Sequence, residues 1–204
     1  MNSFDQLAND DAIKKTMEAL KDAGVEAILV ETGEEAKNKV LEMIPAGAEV
    51  MNMSSVTIDT LGIAKEINES GKYDSVKAKL SKMNRETQND EMQKLGAAPM
   101  WAIGSVHAVT QDGKVLVASN TGSQLPAYTY GSKHVIWVVG VQKIVPNMEE
   151  GLKRIYEYVL PLESERVKKA YGMEKSNVSK LFILNHENIA GRITLIFVKE
   201  KLGF

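Results

Sequence analysis

The chain has 204 residues, of which 44% are hydrophobic and 25% charged, and its formal net charge is −2. This length and composition are typical of one globular domain, so we predict a single domain over residues 1–204. Acidic and basic residues are interspersed along the chain and build no basic face, so we expect no nucleic-acid partner.

Cysteine is absent, which excludes disulfides, thiolate nucleophiles and cysteine-bound zinc or iron–sulfur sites. The first fifteen residues carry acids where a secretory signal needs positive charge and an apolar core. No stretch reaches the roughly 18 apolar residues of a membrane span. We therefore expect a cytoplasmic protein without a membrane partner.

The first half of the chain predicts alternating helices and strands. Apolar residues recur every three or four positions in the helices, and short aliphatic runs mark the strands. In chain order we predict a helix over 11–23, a strand over 25–31, a helix whose apolar stripe ends at Ile44, a strand over 48–55, a short helix, and a longer polar helix over 73–95.

The second half interrupts this alternation with a predicted hairpin. SVHAVTQ and KVLVAS are separated by Asp112-Gly113, a dipeptide that favours a type I′ turn. The apolar run 132–140 suits a strand buried on both faces, and a long helix over 147–172 should break near Pro161. Two more strands follow. The pattern predicts a three-layer α/β/α domain with a mostly parallel mixed sheet and one antiparallel hairpin.

The segment NMSSVTID joins a predicted strand to a helix. Its Asn52, Ser54, Ser55 and Thr57 place polar groups where the partial positive charge of a helix start favours an anion. The same residue types also cap helices for purely structural reasons. The sequence leaves ligand contact and capping open.

A second polar segment, SNTGSQ, follows the hairpin. Small residues around Gly122 leave backbone amides unobstructed, so the loop could form a nest for a phosphate or carboxylate. A plain connection rich in turn formers explains the segment equally well. The candidates here are Asn120, Thr121, Gly122, Ser123 and Gln124.

The three histidines lack the spacing of a metal site, so we predict none. His107 lies in a predicted strand near the polar loop, where it could be a general base or a packed side chain. A nearby lysine, Lys133 or Lys143, could stabilise charge on a ligand. His107 and Lys133 are the candidate catalytic residues, and Gly104 and Lys143 join the candidate ligand-binding residues.

Taken together, the stretch from Gly104 to Ile155, the helix start SSVTIDTLGI, and the segments VLPLESERVKKAYG and GRITLIFVKEKLGF resemble the LUD domain family. The family was formerly a domain of unknown function and is named for lactate utilisation. The resemblance covers essentially the whole chain and implies a fold similar to the NagB/RpiA/CoA transferase-like group. In relatives of that fold, strand-end loops bind phosphates, CoA or folate-like ligands.

Without cysteine, the chain resembles the small, cluster-free members of the family. No glutamate lies between Gly104 and Gly140 to act as the nucleophile of a CoA transferase, and we predict no resident cofactor. Three functions stay open. The domain could bind or convert a small anionic molecule, namely a carboxylate, a phosphate or a CoA-like ligand. It could serve as a non-catalytic subunit beside iron–sulfur partner proteins, or form a homo-oligomer without activity.

Overall fold

The computed structural model describes residues 3–204. Its strands are β1 (Glu26–Val30), β2 (Glu49–Asn52), β3 (Asp74–Ser75), β4 (Trp101–Gly104), β5 (Ala108–Thr110), β6 (Val115–Ser119), β7 (His134–Gly140), β8 (Ile144–Val145), β9 (Lys180–Leu184) and β10 (Ile193–Val198). Its α-helices are α1 (Asp10–Asp22), α2 (Gly33–Met43), α3 (Val56–Thr60), α4 (Ile63–Glu69), α5 (Val76–Leu80), α6 (Arg85–Ala97), α7 (Met148–Lys153) and α8 (Leu160–Tyr171).

The strands form two sheets. The main sheet is entirely parallel, in the order β1-β10-β7-β4-β2-β3. The second sheet has the order β8-β5-β6-β9 and contains the predicted hairpin of β5 and β6. The α/β class and the largely parallel sheet flanked by helices are confirmed. The hairpin lies in a separate sheet, because the chain leaves the main sheet after β4.

Each face of the main sheet has its own core. On one face, Ala36 and Val40 of α2 and Ile63 of α4 pack against Ile136 and Ile196. On the other face, apolar residues of α1 and of the second sheet pack together against β7 and β10. A third cluster joins the far side of the second sheet to the helical segment around Ile155. The second sheet is therefore sandwiched between the main sheet and that helical segment.

Two predicted elements differ from the structure. A single helix over 73–95 is wrong, because β3, α5 and α6 divide this segment. Asn84 ends the connection between α5 and α6: its side chain accepts from the Glu86 backbone N–H at 2.8 Å and caps α6. The type I′ turn is also wrong. Gly113 takes a positive φ of 84°, but no non-glycine residue of 3–204 does, so Asp112 cannot complete that turn.

The helix over 147–172 does not break at Pro161. Between α7 and α8 the chain forms a wider π-helical turn over Arg154–Val159, and helical backbone continues through Leu160. A π turn pairs residues five apart, which accommodates the proline that lacks an N–H donor. Asn147 caps the start of α7, because its side chain accepts from Glu150 N–H at 3.0 Å, and Gly172, with φ 67°, caps the end of α8.

Across residues 3–204, none of the helices combines the length and the apolar character that a membrane crossing requires.

Candidate functional site

A cleft of about 410 Å³ lies at the carboxyl edge of the main sheet. Its walls are the segments that follow β2, β4, β6 and β7, together with one side of α8 and the last residue, Phe204. In open parallel α/β sheets, ligands bind outside the carboxyl ends of the strands. The position of this cleft is therefore typical of a binding site.

Two short connectors meet at the base of the cleft. Residues 105–107 join β4 to β5, and residues 141–143 join β7 to β8. Strands β4 and β7 are neighbours in the main sheet, and β5 and β8 are neighbours in the second sheet. The connectors therefore run side by side, which brings Ser105 Oγ within 3.1 Å of Lys143 Nζ.

Lys143 is buried at this base, with 2% of its surface exposed. Its Nζ donates to Thr57 Oγ1 at 3.2 Å, to Ser105 Oγ at 3.1 Å and to the Val106 carbonyl at 3.2 Å. None of the salt bridges within residues 3–204 involves this amine. Burial, and secondly the charge of Arg154, lower the pKa of Lys143 to about 7. Both protonation states are therefore populated near neutral pH.

His107 lines the cleft as an uncharged hydrogen-bond donor. Its Nδ1 accepts from the Ala118 backbone N–H at 3.1 Å, so in the neutral ring Nε2 carries the proton. Burial, followed by the charges of Lys143 and Arg154, lowers the pKa of His107 to about 3. A ring that stays neutral with its proton on Nε2 is better suited to donate to a ligand than to act as a general base near pH 7.

Arg154 lies in the π turn behind His107 and is fully buried. One guanidinium N–H donates to the His107 carbonyl, whereas Nε and Nη2 have no partner among residues 3–204. The guanidinium carbon lies 5.2 Å from the ring centroid of Tyr158. Burial lowers its pKa to about 10, so the side chain is still cationic at neutral pH. Arg154 therefore adds positive charge beneath the cleft.

The acids that line the cleft do not neutralise this charge. Glu163 forms a two-point ion pair with Arg166, with both N–O distances at 2.7 Å. Asp59 of the short helix α3 also lines the cleft and makes no salt bridge within the described chain. Lys143 and Arg154, at and beneath the base of the cleft, therefore form no salt bridge with these acids.

Ser54, Ser55 and Thr57 all line the cleft. Ser55 occupies the cap position of α3, but its hydroxyl makes no capping hydrogen bond, so capping alone does not account for it. Thr57 is tied to the chain end, because its hydroxyl donates to the Leu202 carbonyl at 3.2 Å. Asn52 lies outside the cleft. Its side chain is fully buried, and its amide has no partner among the described residues.

In the second predicted segment, Asn120, Thr121, Ser123 and Gln124 line the cleft, whereas Gly122 does not. The Gly122 N–H donates to Ser119 Oγ at 2.8 Å, and the Ser123 N–H donates to Thr121 Oγ1 at 3.3 Å. The amides of Gly122 and Ser123 are therefore satisfied by hydroxyls of the segment and are not free to bind a ligand.

Gly104 and Lys133 also lie outside the cleft lining. A Cβ atom on Gly104 would lie 1.8 Å from the hydroxyl of the buried Tyr128, so this glycine makes room for a side chain that does line the cleft. Lys133 is exposed and precedes the amino end of β7. The seven residues of β7 span roughly 20 Å, and the cleft lies at the other end of that strand.

The sequence model of the LUD domain matches residues 13–183. The chain belongs to the LUD domain family. A crystal structure of a DUF162 family protein from Deinococcus radiodurans has the same fold as this LUD domain, with a TM-score of 0.59 and 12% sequence identity. The superposition covers 95% of this chain and 99% of that chain. No curated protein matches the sequence.

Sequence reasoning missed two residues of this LUD domain's site, Ser105 and Arg154. Ser105 lies between the predicted Gly104 and His107, but it belongs to no recognisable nucleophile motif. Arg154 had a detectable signal. It immediately precedes Ile155 and lies four residues before Tyr158, on the apolar side of a predicted helix where a charged residue is unusual.

Proposed function

We propose that the cleft of this LUD domain binds a small organic anion, with its carboxylate or phosphate group against Lys143. The observation that carries the proposal is a buried lysine at the base of a cleft with no salt bridge among residues 3–204. Buried charges in proteins are normally paired, so an anionic ligand would supply the missing partner. The family name supports a role in lactate or other organic-acid utilisation.

Neutral donors that line the cleft fit the same ligand. The hydroxyls of Ser54 and Ser55 make no hydrogen bond to described residues, and the Nε2–H of His107 is a further donor. These neutral donors can bind carboxylate or phosphate oxygens while Lys143 neutralises the charge. A CoA-like ligand would place one anionic group here and extend towards Lys77, which lines the same cleft.

Binding to the ammonium form should depend on pH. Because the pKa of Lys143 is about 7, raising the pH above 7 removes the charge that holds the anion. Affinity should therefore fall as pH rises, and binding near neutral pH should be accompanied by proton uptake. Calorimetry in buffers of different ionisation enthalpy measures this uptake directly.

The proposal is tested by thermal unfolding in the presence of acetate, L-lactate, other hydroxy acids, inorganic phosphate, folates and acyl-CoAs. A ligand at 100 times its Kd stabilises the folded state by about 2.7 kcal/mol. We expect such a shift in the natural chain, its loss in Lys143→Met and its retention in Lys169→Met. Lys169 is an exposed lysine of α8 outside the cleft lining.

No shift with any of these compounds would refute the binding proposal. The alternative functions would then be tested directly. Affinity capture would test the role of a subunit beside iron–sulfur partner proteins, and sedimentation would test homo-oligomer formation.

A further inference from the structure

We propose that Ser105 and Lys143 form a nucleophile–base dyad that hydrolyses an ester or thioester of the acid that the cleft binds. The inference rests on the proposed function, because the carboxylate released by this reaction is the proposed ligand. It adds an activity, a nucleophile and a substrate class to a site that would otherwise only bind.

The contacts of the amine distinguish the two hydroxyl groups beside it. Lys143 Nζ lies 3.2 Å from Thr57 Oγ1 and 3.1 Å from Ser105 Oγ. The Thr57 hydroxyl already donates its proton to the Leu202 carbonyl. Ser105 Oγ has no other hydrogen-bond partner among residues 3–204, so its proton can be donated to Nζ whenever the amine is neutral. Ser105 is therefore the hydroxyl that Lys143 can activate.

Ser105 is also the accessible member of the pair. It is partly exposed and lines the cleft, whereas Val106 beside it is buried in the core. The Val106 carbonyl and Thr57 hold Nζ from the protein side. The nucleophile therefore faces the space where a substrate enters, while the base is fixed behind it. A hydrogen-bonded nucleophile and base in this arrangement is the general requirement for covalent catalysis.

The surroundings of Lys143 allow a neutral amine. Arg154 and burial disfavour its charge, and the other neighbouring titratable group, His107, is itself uncharged. The acidic side chains that line the cleft are those of Asp59 and Glu163, and Glu163 is paired with Arg166. Without a carboxylate in a salt bridge with Nζ, the pKa of about 7 gives a base that is about half deprotonated at neutral pH.

The reaction balances without a cofactor. Ser105 Oγ attacks the acyl carbon as its proton moves to Lys143 Nζ. The carbon–sulfur or carbon–oxygen bond then breaks, and the leaving thiol or alcohol takes that proton, which leaves an ester on Ser105. Water attacks this ester and gives a proton to Nζ. The bond between the acyl carbon and Ser105 Oγ then breaks, and Nζ returns a proton to Oγ. The products are the thiol or alcohol, a carboxylate and one proton, which can stay on Lys143 beside the carboxylate.

His107 is positioned to stabilise the oxyanion of both steps. Ser105 and His107 are two residues apart in the connector between β4 and β5, and both line the cleft. The neutral ring keeps a proton on Nε2, which can donate to a developing negative charge.

The test uses p-nitrophenyl acetate as an activated ester, with release of nitrophenolate and the mass of the intact protein as readouts. We expect a burst of nitrophenolate, one acetyl group on the peptide containing Ser105, and an acylation rate that rises with pH around a midpoint near 7. Ser105→Ala should abolish the adduct. Lys143→Met should lower the acylation rate at least about 100-fold, the lower bound for general-base catalysis.

Two exposed controls match these substitutions in chemistry. Ser81→Ala and Lys169→Met lie outside the cleft lining and should acylate like the natural chain. Thermal unfolding confirms that each variant is folded. An acetyl adduct that persists in Ser105→Ala, or an acylation rate unaffected by Lys143→Met, would overturn the dyad.

Acetate binding separates the two proposals. If acetate stabilises the protein but p-nitrophenyl acetate leaves no adduct on Ser105, the dyad is wrong and the binding site stands. If none of the panel compounds stabilises the protein and no adduct forms, both proposals are wrong. If the adduct forms and acetate competes with it, both are supported.

Discussion

Replacing Lys143 with methionine should change stability by an amount whose sign depends on pH. The pKa of Lys143 is about 7 in the folded protein, against an ordinary value of 10.5. Because the folded value is lower, the unfolded chain binds more protons between these two values, and stability rises with pH across that window. At about 1.36 kcal/mol per pH unit, the cost in unfolding free energy of burying the charged amine approaches about 5 kcal/mol below pH 7.

Methionine removes both the penalty and the hydrogen bonds of Nζ. The buried acceptors that lose their donor, including the Val106 carbonyl, cost about 1–3 kcal/mol at any pH. Above about pH 10 this loss dominates, and the variant should be less stable than the natural chain. At about pH 6 the removed cost of burying the charge is larger than the cost of the lost hydrogen bonds. The variant should then be more stable than the natural chain by about 2–4 kcal/mol.

Urea unfolding of the natural chain and Lys143→Met across this pH range measures the effect. Subtracting the two curves cancels the contribution of titrating groups that do not interact with Lys143, and Lys169→Met serves as the exposed lysine control. A difference in unfolding free energy that does not change with pH would refute the reasoning, because it would show that Lys143 is not a desolvated, unpaired amine.

Three further predictions concern the groups around this lysine. Gly104→Ala should destabilise the fold by about 1–3 kcal/mol, since its Cβ would overlap the Tyr128 hydroxyl; in urea unfolding, adding Tyr128→Phe should recover part of the loss, and no recovery would contradict the stated overlap. Arg154→Met should raise the pKa of Lys143. The pH range over which the unfolding free energy rises should therefore move upwards when Lys143 is compared with Lys143→Met in this variant; an unchanged range would show that the two charges do not interact. Thr57→Val should lower the unfolding free energy by about 1 kcal/mol, since a hydrogen bond to the chain end is lost; calorimetry showing an unchanged Tm would contradict this contribution.

Local patterns predicted most of the elements. The apolar run that ends at Gly140 forms the buried strand β7, and the apolar spacing around Ile13 and Leu20 marks α1. Both signals depend only on neighbours in the sequence. The prediction of one helix over 73–95 was wrong because the polar residues of this segment are compatible with a helix throughout. Only the cap at Asn84 shows where the next helix begins.

The site was harder to predict because it depends on contacts distant in the sequence. Lys143 was a candidate as a lysine near the polar segments. Its contact with Ser105 could not be predicted, because it requires knowing that two neighbouring strands of the main sheet continue into neighbouring strands of the second sheet. Burial of Arg154 likewise follows from the packing of a helix on the second sheet. Polar composition also could not show that the amides near Gly122 are already bonded within their loop.

The two connectors have a consequence for motion. Ser105, His107 and Lys143 belong to neither sheet but to the chain segments that cross between them. A small sliding of one sheet over the other would therefore alter the distances among these side chains before it disturbed either hydrogen-bonded ladder. A ligand that bridges the connectors should restrain this sliding. With such a ligand bound, hydrogen exchange of the backbone amides of β5 and β8, which lie beyond the cleft in the second sheet, should become slower.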